Sequence, residues 1–89
     1  MEDRKRIIKL YDFYGKLLTD RKKEIFEMYY YEDFSMYEIA ETEKITAQAV
    51  KDHLKTAIQL LEEYEEKLSF IVKMDNVKDF LNNAIKEFE

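Results

Sequence analysis

The 89-residue chain is long enough for one domain, and with 46% hydrophobic and 39% charged residues it is a globular chain with strongly charged faces. It has 1 Gly, no Pro and no Cys, which suits long helices and excludes a disulfide framework, a thiolate nucleophile and a Cys-based zinc site. The net charge of −5 argues against indiscriminate binding to polyanions, and a single histidine, His53, would have to carry any imidazole chemistry alone.

No apolar run approaches the roughly 18 residues that a membrane helix needs. The N-terminus from Met1 to Lys9 is charged and leads into no apolar stretch, so no signal peptide is expected. These features predict a cytoplasmic protein without membrane insertion, resident metal or cofactor. The charge is banded. Residues 1–23 carry 8 basic and 4 acidic groups, and residues 24–43 carry 7 acidic and none basic. Residues 44–60 carry 3 basic and 1 acidic, and residues 61–89 carry 4 basic and 8 acidic.

Apolar steps of three and four at Ile7, Leu10, Tyr11, Tyr14, Leu17 and Leu18 predict a first helix over 3–18. Gly15 inside it costs about 1 kcal/mol relative to Ala unless close packing needs it. Thr19 is placed to cap a second helix running to about Tyr31, with Asp20 favourable in its first turn. Ser35-Met36-Tyr37-Glu38 is a capping box opening a short third helix that ends near Glu43. Thr46 caps a long fourth helix from Ala47, where Val50, Leu54, Ala57, Leu61, Tyr64 and Leu68 follow a heptad. A break between Ser69 and Asn76, with Asp75 as cap, predicts a fifth helix over about 76–88 carrying Val77, Phe80, Leu81, Ala84, Ile85 and Phe88.

The predicted fold is therefore all-α: one domain over 1–89, a bundle of about five helices with a central helix-turn-helix over about 35–60. Ile39 and the small Ala40 turn toward the next helix, Ile45 plugs the turn, and Val50 and Leu54 anchor the second helix of the motif. Such a second helix can enter a DNA major groove. Its outer face presents Gln48, Lys51, Asp52 and Lys55. Gln48 suits an adenine edge, Lys51 and Lys55 suit phosphates, and Thr46 offers a hydroxyl or amide to one.

The string Leu10-Tyr11-Asp12-Phe13-Tyr14, Leu17-Leu18-Thr19 and Glu27-Met28-Tyr29-Tyr30 continues through Asp33-Phe34-Ser35-Met36-Tyr37-Glu38-Ile39-Ala40-Glu41. With Gln48-Ala49-Val50-Lys51-Asp52 and Leu60 to Leu68, it resembles the YlxM-like family of small bacterial helix-turn-helix proteins. The resemblance spans about residues 7–70, and the family is similar to region four of bacterial sigma factors. It implies a sigma-like or winged-helix-like helix-turn-helix and a DNA-binding regulatory role associated with the signal recognition particle pathway. It also implies Thr46, Ala47, Gln48, Lys51 and Lys55 as the nucleic-acid face. Family members carry Leu-Gly in the turn, where this chain has Glu43-Lys44. A lysine in the left-handed conformation would be strained there unless the turn differs. Members carry Ser-Arg where this chain has Thr46-Ala47, so Ala47 brings no cation to a phosphate or guanine. Duplex DNA therefore stands beside a second reading, a protein- or RNA-interaction module of the targeting machinery that does not bind DNA.

The remaining features read as structural. Tyr29, Tyr30 and Tyr31 are expected in core and rim packing, and His53 at the edge of the buried seam. Glu62, Glu63, Glu65 and Glu66 are expected on a solvated face. Exposed helix carboxylates lack the burial that tunes a general acid/base pair, so no catalytic role is expected. The heptad seam of the fourth helix is expected either to pack within the chain or to seat a homodimer.

Overall fold

A computed structural model describes residues 3–88 of the chain. The elements in order are α1 (Arg4–Tyr14), a 3-10 turn (Gly15–Leu17), α2 (Asp20–Tyr30), α3 (Met36–Glu43), α4 (Ala47–Leu68) and α5 (Phe70–Glu87). There is no strand among the described residues, so the helix-turn-helix carries no wing among them. No described helix is long and apolar enough to cross a membrane.

Local chemistry sets most of the helix starts. The side chains of Thr19, Ser35 and Thr46 accept from the backbone N–H of Lys22, Glu38 and Ala49. Ser35 and Glu38 form the complete reciprocal box, with Glu38 accepting from Ser35 N at 2.9 Å. Those bonds hold the Glu38 carboxyl below its ordinary range.

The first helix ends earlier than its apolar pattern suggests. It closes at Tyr14, and Gly15–Leu17 tighten into a 3-10 turn. Gly15 has ordinary right-handed dihedrals, so its value is space: a Cβ there would lie 2.9–3.0 Å from the Tyr11 ring. That ring stacks on Phe26 with centroids 4.1 Å apart.

The core joins Ile7, Leu10 and Tyr14 of α1, Ile25 and Phe26 of α2, Ile39 of α3, and Val50, Leu54, Ala57 and Leu61 of α4. The α4 seam is thus buried within its own chain against α1, α2 and α3. The homodimer expected through that seam is corrected accordingly, because its central positions have no surface left to offer a second copy.

The fifth helix departs further from expectation. It starts at Phe70, six residues before the predicted start, and Asp75 lies inside it rather than capping it. The break is Ser69 alone, in the left-handed region at φ 55°. Two buried groups supply what a local cap would. Tyr14 Oη accepts from Phe70 N at 3.0 Å, and Glu65 Oε1 accepts from Ile71 N at 3.1 Å and from the Tyr14 hydroxyl. Glu65, expected on a solvated face, is buried. Burial alone would raise its pKa, but the Tyr14 hydroxyl, the Ile71 and Val72 amides and the Arg6 charge outweigh it and hold the carboxyl below its usual range. The same burial beside a carboxylate raises the Tyr14 phenol. Of the other three glutamates, Glu62 pairs with Arg6 at 2.8 Å. Beyond Ile71, α5 leaves the bundle, and the molecule measures 57 × 25 × 24 Å.

Candidate nucleic-acid interface

The helix-turn-helix is built from α3, a three-residue connection (Lys44, Ile45 and Thr46) and the first half of α4. Lys44 takes the left-handed conformation itself, at φ 58° and ψ 43°, and its N–H bonds Ala40 O. Ile45 N bonds the same carbonyl at 3.0 Å, which puts the Ile45 side chain against the core. The turn therefore keeps the glycine-type geometry, with lysine accepting the strain. From α2, Arg21 Nη2 donates to Glu43 O at 3.4 Å, and its Nε lies 3.9 Å from the Glu43 carboxylate. This contact fastens the start of α2 to the end of α3.

The predicted face of α4 forms one exposed strip at helical spacing. Thr46 Oγ1 accepts from Ala49 N at 3.0 Å, so its oxygen serves the helix while the hydroxyl keeps its proton to donate. Capping of Ala49 and the Val50–Thr46 backbone bond leave the Ala47 and Gln48 amides outside the helical ladder. Gln48 Nε2 donates to Asp52 Oδ1 at 3.0 Å, so its amide is held along the face rather than projecting freely. Lys51 and Lys55 are exposed one turn apart, and neither makes an ion pair among the described residues. They border a cleft of about 280 Å³ floored by Met36, Leu54 and Ile58.

Sequence reasoning missed the cations that α2 brings to the other flank. Lys22 Nζ lies 3.3 Å from His53 Nδ1 beside a second cleft of about 250 Å³ shared with Ala49, Asp52 and Thr56. An ammonium only donates, so Nδ1 is the acceptor and the neutral ring carries its proton on Nε2. Burial, with Lys22 and Arg21 adding positive charge, pushes the His53 pKa down against the smaller opposing pull of Asp52. The excess of basic groups in residues 1–23 was the available signal, although nothing local tied it to His53.

The fold and this geometry define a small all-helical helix-turn-helix protein whose second motif helix carries a mixed lysine-rich outer face. The model of the UPF0122 family, described as "Putative helix-turn-helix protein, YlxM / p13 like", matches residues 1–89, and the chain belongs to that family. It is similar to a UPF0122 protein of Thermoanaerobacter sp. (strain X514), 48% identical over 80 residues, which are 90% of this chain and 68% of the relative. It is also similar to the UPF0122 protein YlxM of Bacillus subtilis (strain 168), 42% identical over 82 residues, 92% of this chain and 74% of the relative. A UPF0122 protein of Desulforamulus reducens (strain ATCC BAA-1160 / DSM 100696 / MI-1) is 49% identical over 85 residues, 96% of this chain and 73% of the relative.

Proposed function

We propose that this chain is a cytoplasmic, non-catalytic regulatory protein that binds duplex DNA through α4 and acts in the setting of the signal recognition particle pathway. Gln48 reads a base edge after exchanging Asp52 for it. Thr46, Lys51, Lys55 and the free amides of Ala47 and Gln48 hold phosphates. The observation that carries this reading is the pair of exposed lysines one turn apart on the motif helix, without ion-pair partners among the described residues, on a helix that Lys22 of α2 also approaches at His53.

One observation favours a second reading. The Asp52 carboxylate sits within the same strip and occupies Gln48. That arrangement suits a protein or RNA component of the targeting machinery better than a base edge.

Fluorescence anisotropy against generic duplex DNA and signal recognition particle RNA, across a salt series, separates the two. DNA binding predicts a steep salt dependence whose log–log slope falls by about 2 in the Lys51→Ala/Lys55→Ala variant. Preference for the RNA moves the function to the second reading, and no binding to either at low salt overturns nucleic-acid binding altogether.

A further inference from the structure

Beyond its base, where Phe70 stacks on Tyr14, α5 is an apolar surface with little against it among the described residues. Phe70, Phe80 and Phe88 are 47%, 72% and 91% exposed, and Met74, Val77, Leu81 and Ile85 are exposed beside them. Taking a Phe side chain as about 150–250 Å², the three Phe residues alone leave about 300–500 Å² open. That already matches the largest apolar patch of an ordinary monomer, before four aliphatic side chains are added. A specific interface needs about 800 Å² from each partner, which a helix of this length with such side chains can supply.

We propose that this face pairs with α5 of a second copy of the chain, antiparallel. Three features of the helix select that occupant. The first is the pattern: Phe70, Met74, Val77, Leu81, Ala84 and Phe88 follow steps of four and three along the whole helix, the seam of a two-stranded coiled coil.

The second is self-complementarity. Laid antiparallel about a two-fold axis at Asp79, the seam puts Phe70 beside Phe88 of the other copy. It also puts the long Met74 beside the small Ala84, and Val77 beside Leu81. In the same register Lys73 flanks Glu87 of the other copy on both sides of the axis, and Phe80 meets Phe80. One like pair, Lys78 with Lys78, remains at the axis. A parallel pair would instead set Lys73 against Lys78 twice and leave Glu87 without a cation.

The third is the receiving end. At the base of α5, Phe13 of α1 joins Phe70, Lys73, Met74 and Val77 around an apolar cleft of about 340 Å³. In the antiparallel register this cleft receives the tip of the other copy's helix, carrying Phe88. The base is fixed for that purpose: Ile71 is buried in the bundle and Lys9 Nζ lies 3.5 Å from the Asp75 carboxylate. The antiparallel arrangement also keeps the two bundles, each about 25 Å across, at opposite ends of the helix pair. None of these residues belongs to the α4 face, so the pairing stands independently of nucleic-acid binding.

Sedimentation equilibrium of the whole chain over a concentration series tests the proposal. The expected mass is that of two 10.9 kDa chains. Leu81→Asp, at a position outside the core, weakens association by more than about 100-fold while leaving the helical circular dichroism of the bundle in place. Lys73→Glu weakens it about 10-fold, and adding Glu87→Lys restores it. Phe80→Cys cross-links two copies on oxidation, whereas Phe70→Cys does not. A monomer at every concentration overturns the proposal. A dimer untouched by Leu81→Asp places the contact elsewhere and overturns it. Failure of the charge reversal to restore association, or a Phe70→Cys cross-link, overturns the antiparallel register.

Discussion

Replacing Lys44 by glycine should stabilise the protein relative to replacing it by alanine. Lys44 sits at φ 58° and ψ 43° and is exposed, so its strain comes from its own Cβ and not from a neighbour. A non-glycine residue in this region carries about 1–2 kcal/mol of steric cost. Glycine removes that cost but gives up about 0.5–1 kcal/mol of extra chain entropy on folding. The difference leaves Lys44→Gly about 0.5–1 kcal/mol more stable than Lys44→Ala. For a domain of this size the melting temperature rises by about 2–8 °C between the two variants. Alanine is the proper reference because both substitutions remove the lysine charge from the C-terminus of α3, where the helix dipole favours it by about 0.3–1 kcal/mol. Thermal and urea unfolding followed by circular dichroism at one salt concentration gives the comparison. A glycine variant equal to or weaker than the alanine variant would refute the reasoning and place residue 44 outside the left-handed region.

Other expectations follow from the same contacts. Gly15→Ala should lower stability by about 1 kcal/mol, since overpacking against the stacked Tyr11 ring costs about 1–3 kcal/mol and the gain in helix propensity is at most about 1 kcal/mol; a melting temperature that rises would show that the ring can move aside. The buried Glu65 carboxylate has its pKa held down in the folded state, so its contribution is present above the ordinary carboxylate pKa and is lost as pH falls through the lowered one. Urea midpoints measured from neutral to acid pH should fall accordingly, with Glu65→Gln weaker at neutral pH and lacking that share of the slope. His53 shows the opposite protonation logic for a base. Its pKa is lowered by burial and by Lys22 and Arg21, so the unfolded chain takes up the proton first and acidification below about 6.5 weakens the fold. An NMR titration of the ring should place its midpoint below that of a free histidine, and Lys22→Ala should move it upward.

How far each feature could be read in the sequence depended on the range of the interaction behind it. Thr19, Ser35 with Glu38, and Thr46 act within one helical turn, and their caps are where the sequence puts them. The heptad of α4 likewise announced its own burial, because Val50, Leu54, Ala57 and Leu61 share one face. The boundary between α4 and α5 was hidden. It depends on Tyr14, 56 residues away from the Phe70 amide it receives, and a polar signal at Asp75 was the more visible candidate. Glu65 looked like one of four solvated glutamates, yet it stands four residues beyond Leu61 on the buried seam, and that spacing was the clue. At the α4 face, Gln48, Lys51 and Lys55 share the strip their spacing requires. The bond from Gln48 to Asp52 was within reach of a four-residue spacing rule, whereas the approach of Lys22 to His53 required the tertiary fold.

The single residue between the two longest helices makes the molecule a lever. An 18-residue helix reaches about 27 Å, so a turn of about 10° at Ser69 sweeps the far end through about 5 Å. That displacement is close to one helical pitch. The fulcrum is a hydroxyl and a carboxylate, Tyr14 and Glu65, acting on two amides. Aim at the distal end is therefore decided inside the bundle, by groups that the tip itself never touches.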